Sequence, residues 1–255
     1  MGPRIGFHLL LPVYPFPWPS SNSEGTCDTL YLVDVDPQAS LTKYFLDDAF
    51  KQLPLTMYHG LVEGKRIPPL KIREGLHFLP ARNEDIPLTQ AEVELPQKYR
   101  FDFQQRLGKL LAQYPDYDYL LIDTPGNVSI FTVLSLAAAN IAIIPVKSEK
   151  AAEQATDDIM ETIEQVRGTS EEPGLNPKLI IWGILPTLYE SHVNHHKQVI
   201  EQLVKKYGDL VYTEPSRKTN DYNNAHVIKG SVGEISQDLG QYWQRIAKSV
   251  IAKGA

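Results

Sequence analysis

The sequence predicts an α/β protein built on a doubly wound, mostly parallel sheet flanked by helices. Three observations predict it: short, continuously apolar runs of strand length, amphipathic stretches of helical period between them, and acids placed where apolar runs end.

In chain order the expected strands are 4–7, 30–36, 76–80, 119–123, 141–146, 179–185 and 210–212. Several are apolar at every position, as strands covered on both faces should be. Tyr99, Phe103, Leu107, Leu110 and Leu111 recur at helical spacing, and so do Ile235, Leu239, Tyr242, Trp243, Ile246 and Val250. Each set predicts a helix whose apolar face packs on the sheet. Alternation of strand and helix implies right-handed crossovers, which puts ligands beyond the carboxyl ends of the strands. Residues 168–177, rich in Gly, Pro, Ser and Asn, read as a loop. No internal repeat or low-complexity tract interrupts a single domain over residues 1–255.

Residues 8–29 break the pattern. Pro12, Pro15, Pro17 and Pro19 each remove a backbone donor and clash with a preceding turn, so no helix runs through 11–20. An irregular segment is expected where a loop and the first helix belong. Loss of that helix is expected to expose an apolar face of the central strands and to lower stability.

The composition, 42% hydrophobic and 22% charged, is that of a folded globular chain and excludes a disordered or collagen-like one. Cys27 is the single cysteine, which excludes an internal disulfide and fits a reducing, cytoplasmic setting. No apolar run reaches the ~20 residues that span a bilayer. The prolines and the lack of a small-x-small pattern argue against a signal peptide near the N-terminus. The net charge of −6 is uneven: residues 1–177 carry 15 Lys and Arg against 24 Asp and Glu, and residues 178–255 carry 10 against 7. So weak a basic excess is explained by scattered solvated charge as well as by an anionic partner.

Two strand ends carry chemistry. Asp34 and Asp36, two residues apart, share one strand face. Such a pair suits one acid at a metal and one at an attacking water, or else Asp36-Pro37 and Ser40 merely start the next helix. Asp123 ends the run Tyr119-Leu-Leu-Ile122 and leads into Thr124-Pro125-Gly126. A carboxylate there suits a water of hydrated Mg²⁺, and Gly126 lets backbone approach a phosphate oxygen. The alternative is an acid that caps the helix near Ser129. His192, His195 and His196 have the helical spacing of paired Zn²⁺ ligands, but no Glu stands between them and no Cys lies nearby, so a solvated helix face is the better reading.

Together these segments resemble the ParA/MinD family, the deviant-Walker ATPases that position plasmids, chromosomes and other large cargo. Asp34-Val-Asp-Pro-Gln-Ala-Ser-Leu-Thr42 is similar to the family's switch I signature, and Tyr117-Asp-Tyr-Leu-Leu-Ile-Asp-Thr-Pro-Gly126 to its Walker B and switch II segment. Gly75–Ala81, Ile143–Val146 with Glu149 and Ala151, and Gly183–Tyr189 also fit, so the resemblance spans roughly 28 to 250. It implies a P-loop NTPase-like fold that takes ATP and Mg²⁺, a homodimer, and a ParB-like or other activating partner.

By the same resemblance Asp36 would promote hydrolysis, Asp123 would be the Mg²⁺-linked acid, and Asp34 and Gly126 would lie at the nucleotide. The loop 214–217, with Pro215 and Arg217, would lie near the base, and Lys147 or Lys150 would reach a phosphate, an exposed lysine at a helix start being the simpler reading of either. With no long basic amphipathic helix at the C-terminus, non-specific DNA is the implied surface rather than a membrane. Lys197, Lys205, Lys206, Lys218, Arg245 and Lys248, with Arg217, are its candidates, although each alone is better read as plain solvated surface. The family's glycine-rich lysine loop, due after residues 4–8, has no match. Two alternatives to an intact ATPase account for that: a degenerate binding module without turnover, or a reading-frame change upstream of codon 30.

Overall fold

The structure, a computed structural model, describes residues 5–9 in their backbone and residues 29–82, 87–114, 116–149, 151–228 and 231–254. Arg4, Lys150 and almost all of the 8–29 segment lie outside the described residues.

Seven strands form one sheet in the order β3-β4-β2-β5-β1-β6-β7. They are β1 (Ile5–Leu9), β2 (Leu30–Asp34), β3 (Leu70–Arg73), β4 (Leu76–Leu79), β5 (Tyr119–Asp123), β6 (Ile141–Lys147) and β7 (Ile180–Thr187). All neighbours pair in parallel except the β3–β4 hairpin. In β2 all five residues are buried, and their side chains alternate between two cores: Leu30 and Leu32 on one face, Tyr31 and Val33 on the other. That two-sided burial is why the central strands read as unbroken apolar runs.

The helices are α1 (Ser40–Leu46), α2 (Thr89–Tyr99), α3 (Arg106–Leu111), α4 (Ile130–Ala138), α5 (Ala152–Arg167), α6 (Asn194–Tyr207), α7 (Asp221–Ile228), α8 (Val232–Ile235) and α9 (Gln237–Gly254). Helices α1, α7, α8 and α9 cover one face, where the indole of Trp243 is wholly buried among Leu32, Phe78, Leu121 and Ile143. Helices α2 to α6 cover the other. Helix α4 starts at a capping box in which Ser129 and Thr132 satisfy each other's backbone donors, so Ser129, not Asp123, caps it.

Several expectations need correction. No strand forms over 210–212; a 3-10 turn at Gly208–Leu210 leaves a single bridge from Val211 to Ile184. The run from Tyr99 to Leu111 is not one helix, because Arg100 takes a left-handed φ of 45° and a 3-10 segment separates α2 from α3. The C-terminal apolar stripe is likewise divided at Ser236, which has extended backbone between α8 and α9. Strand β3 was not anticipated. The expected apolar exposure over the central strands is absent among the described residues: the exposed large apolar side chains lie on helices, loops and the outer strand β7, while Leu121, Ile141 and Ile143 are buried.

Candidate functional site

Parallel pairing brings the carboxyl ends of six strands to one edge. Asp34, the last residue of β2, is the register partner of Asp123, the last residue of β5, and Leu9 flanks Asp123 on the other side. The backbone N–H of Val35 donates to the Asp123 carbonyl at 2.9 Å and continues the ladder one step past β2. Both Asp34 and Asp123 belong to the strand face that carries Leu32 and Leu121, so their carboxylates lie on the same side of the sheet.

Asp34 is fully buried and fully engaged. Its Oδ2 accepts from the Thr42 N–H at 2.8 Å and from the Thr42 hydroxyl at 2.6 Å, and its Oδ1 accepts from the Asp36 N–H at 3.1 Å. Helix α1 begins at Ala39 without a side-chain cap of its own. The carboxylate of Asp34, supplied from β2, satisfies one of the orphan donors in its first turn. Burial drives the Asp34 carboxyl up to about 7, with the charge of Asp36 adding to it and the Thr42 bonds opposing it.

Asp123 differs. It is 7% exposed, and no hydrogen bond to its carboxylate is found among the described residues. Burial, then the charges of Asp34 and Asp36, push its pKa well above the ordinary carboxylate range. Asp36 is half-buried at the mouth of this edge; one of its oxygens accepts from the Gln38 N–H at 2.9 Å in a tight turn closed by Ala39 N–H to Asp36 C=O.

A buried carboxylate with no donor among the described residues, crowded by two further acids, is a group that a cation stabilises. Among the described residues no three His, Cys, Asp or Glu side chains gather closely enough to enclose a metal. That donor set fits Mg²⁺, which takes one or two carboxylates and otherwise keeps waters or phosphate oxygens. The histidines follow the same finding: His196 Nδ1 accepts from the Glu190 N–H, and His192 lies 3.8 Å from Glu190.

The other anticipated residues fall around this edge at different distances. Gly126 is exposed, and a Cβ there would meet no atom within 4 Å. Lys147 is exposed at the end of β6; its strand is level with Asp123 at Ile143, so Lys147 stands roughly 13 Å further along. Pro215 and Arg217 line a cavity of about 390 Å³ with Tyr189, Glu214, Asp238 and Tyr242. Their loop is tied to the end of β7 by Ser216 N–H to Pro186 C=O and Tyr189 N–H to Ser216 C=O.

Of the basic candidates, Lys206 pairs with Asp157 at 2.6 Å, Lys218 with Glu190 at 2.9 Å and Arg245 with Glu214 at 2.7 Å. Arg245 also lines the cavity beside Pro215. Lys197 and Lys205 on α6 and Lys248 on α9 are exposed and have no ion pair among the described residues. Two groups have a part at this edge that the sequence did not assign: Thr42, the last residue of the segment similar to switch I, and the Ala81 N–H that donates to its hydroxyl at 2.9 Å. The one signal available was a threonine eight residues after the first acid, at the expected start of a helix.

The family model described as AAA domain matches residues 26–181. The chain is similar to the chromosome-partitioning ATPase Soj of Treponema pallidum, with 32% identity over 225 residues that cover 87% of this chain and 85% of the relative. It is also similar to the chromosome partitioning protein ParA of Caulobacter vibrioides, with 30% identity over 72% of this chain and 67% of the relative. Among solved structures, cobyrinic acid a,c-diamide synthase of Mycobacterium smegmatis with bound ADP and magnesium superposes with a TM-score of 0.67 at 28% identity, covering 86% of this chain and 82% of that one. With its acidic strand ends, its sheet order and these relatives, the chain belongs to the ParA/MinD-like ATPase family.

Proposed function

We propose that this protein performs ParA-like positioning of a chromosome, plasmid or other large cargo, governed by MgATP at the edge formed by β2 and β5. The observation that carries the reading is the pairing of buried Asp34 and Asp123 on adjacent strand ends, with Asp36 beside them. Asp123 would hold the Mg²⁺ through a bound water, and Mg²⁺ there would neutralise charge on the β- and γ-phosphates. Asp36, with one carboxylate oxygen uncommitted among the described residues, would accept a hydrogen bond from the attacking water and orient it. The 390 Å³ cavity beside Pro215 and Arg217 would take the base, and a second copy and an activating partner protein would complete the cycle. Non-specific DNA would meet the exposed lysines Lys197 and Lys205 of α6 and Lys248 of α9.

The absence of a glycine-rich lysine loop in the sequence favours one alternative, a module that binds a partner or DNA without nucleotide turnover. Sedimentation and DNA retention with ATP, ADP and no nucleotide separate the two. The proposed function expects MgATP to promote self-association and DNA retention, and Asp36→Ala to prolong both by slowing hydrolysis. Association or retention indifferent to nucleotide would favour the alternative.

A further inference from the structure

Thr42 joins three elements at the acidic edge. It lies in the first turn of α1, is wholly buried, and its hydroxyl donates to Asp34 Oδ2 on β2 at 2.6 Å while accepting the Ala81 N–H beyond β4 at 2.9 Å. We propose that Thr42 is a positioning residue for Asp36, acting through Asp34. The inference rests on the reading of Asp36 as the acid that orients the attacking water.

The donor arithmetic leaves Thr42 one arrangement. A hydroxyl has a single proton. Because Ala81 donates to the oxygen, that proton is directed to Asp34, and the β-branched side chain has few rotamers in which to do otherwise. Asp34 Oδ2 is thereby held by two donors from one residue, its bond from the hydroxyl at the length of a charge-assisted one. The carboxylate is planar, so fixing Oδ2 fixes Oδ1, which in turn holds the Asp36 N–H at 3.1 Å. Asp36 then closes its own turn onto Gln38 and Ala39, where Ala39 has a left-handed φ of 53°. A helix cap alone would require only the Thr42 N–H. The hydroxyl is an additional tie whose far end is the backbone of Asp36.

The experiment compares Thr42→Val, which keeps the shape and deletes the hydroxyl, with Thr42→Ser, which restores it. Amide hydrogen exchange on the nucleotide-free protein reads the tie directly. The valine variant should exchange about three- to tenfold faster at the Asp36 and Gln38 amides, the worth of one hydrogen bond, and the serine variant should match the wild type. A threonine that only braces its own helix would leave those two amides unchanged on substitution, and that result overturns the inference. Where Thr42→Val does not fold, Thr42→Cys replaces the hydroxyl by a weak donor at similar volume and carries the same expectation.

Turnover supplies a second readout. In Thr42→Val kcat should fall, by up to roughly 10²-fold for a misplaced group, with KM for ATP little changed. The double variant with Asp36→Asn should lose no more than Asp36→Asn alone. Additive losses overturn the inference. Wild-type protein without turnover defeats the functional reading, and the exchange result still decides the role of Thr42.

Discussion

Replacing Asp123 by asparagine removes a charge that the nucleotide-free protein holds unfavourably. Asp123 and Asp34 are register partners on adjacent parallel strands, which lie about 4.8 Å apart. Two unit charges at that spacing repel by about 3 kcal/mol at an effective dielectric near 20. No hydrogen bond to the Asp123 carboxylate is removed among the described residues, although an asparagine amide must be desolvated in its place. The net gain is therefore roughly 1–2 kcal/mol, or about 2–8 °C in Tm for a chain of this length.

The sign of the pH dependence follows from the raised pKa values. Burial and like charge lift both acids, Asp34 from 3.8 to about 7. The folded protein thus keeps protons that the unfolded chain has released, so the unfavourable contribution is absent below pH ~4, grows as pH rises, and for Asp34 is complete above about 7. Calorimetric melts in EDTA should show Asp123→Asn above the wild type at pH 8, with the difference shrinking towards pH 4. A variant that melts at or below the wild type at pH 8, or a gap that widens on acidification, refutes the repulsion argument.

Three other outcomes are expected. Gly168 has a φ of 69°, and a Cβ there would stand 2.1 Å from the Gly174 nitrogen; Gly168→Ala should cost about 2–4 kcal/mol in urea unfolding, and a loss under about 1 kcal/mol contradicts the clash. Leu188 is 38% exposed with a left-handed φ of 53°. Relief of strain should hold Leu188→Gly within about 1 kcal/mol of the wild type by the same assay, whereas a loss of 3 kcal/mol or more would show that its packing dominates. Lys205→Ala with Lys248→Ala should reduce the salt slope of DNA retention by about one unit for each phosphate these side chains neutralise, and an unchanged slope removes both lysines from the surface.

How much of this could be read from residues depends on whether the deciding interaction is local. Strands β2, β5 and β6 were legible because burial on both faces favours long apolar runs, and the acids Asp34 and Asp123 stood out as the charged ends of β2 and β5. Strand β3 was not legible: Leu70-Lys-Ile-Arg73 is a short outer strand, half-exposed and tethered by the Arg73–Glu234 ion pair to a residue far along the chain. The break at Arg100 was hidden for a related reason. The apolar period continues through it, since Phe103 and Leu107 pack on the same core as Tyr99, while a left-handed φ at Arg100 and the 3-10 segment Arg100–Gln105 divide the helix.

In the site, spacing put Asp34 and Asp36 on one strand face, but β2 ends at Asp34 and Asp36 stands in the turn beyond it, and spacing did not reveal their division of labour. That division comes from Thr42 and Ala81, which meet Asp34 only once α1 and β4 are packed. It leaves Asp34 a brace and Asp123 the acid with no donor among the described residues.

In the proposed function Asp123 is the group that a nucleotide-bound cation would satisfy. Isothermal titration of the full chain with ATP in Mg²⁺ tests it most directly. Saturable heat that disappears in EDTA and in Asp123→Ala is the predicted result. Absence of heat up to millimolar ATP, or equal heat from the alanine variant, would contradict it.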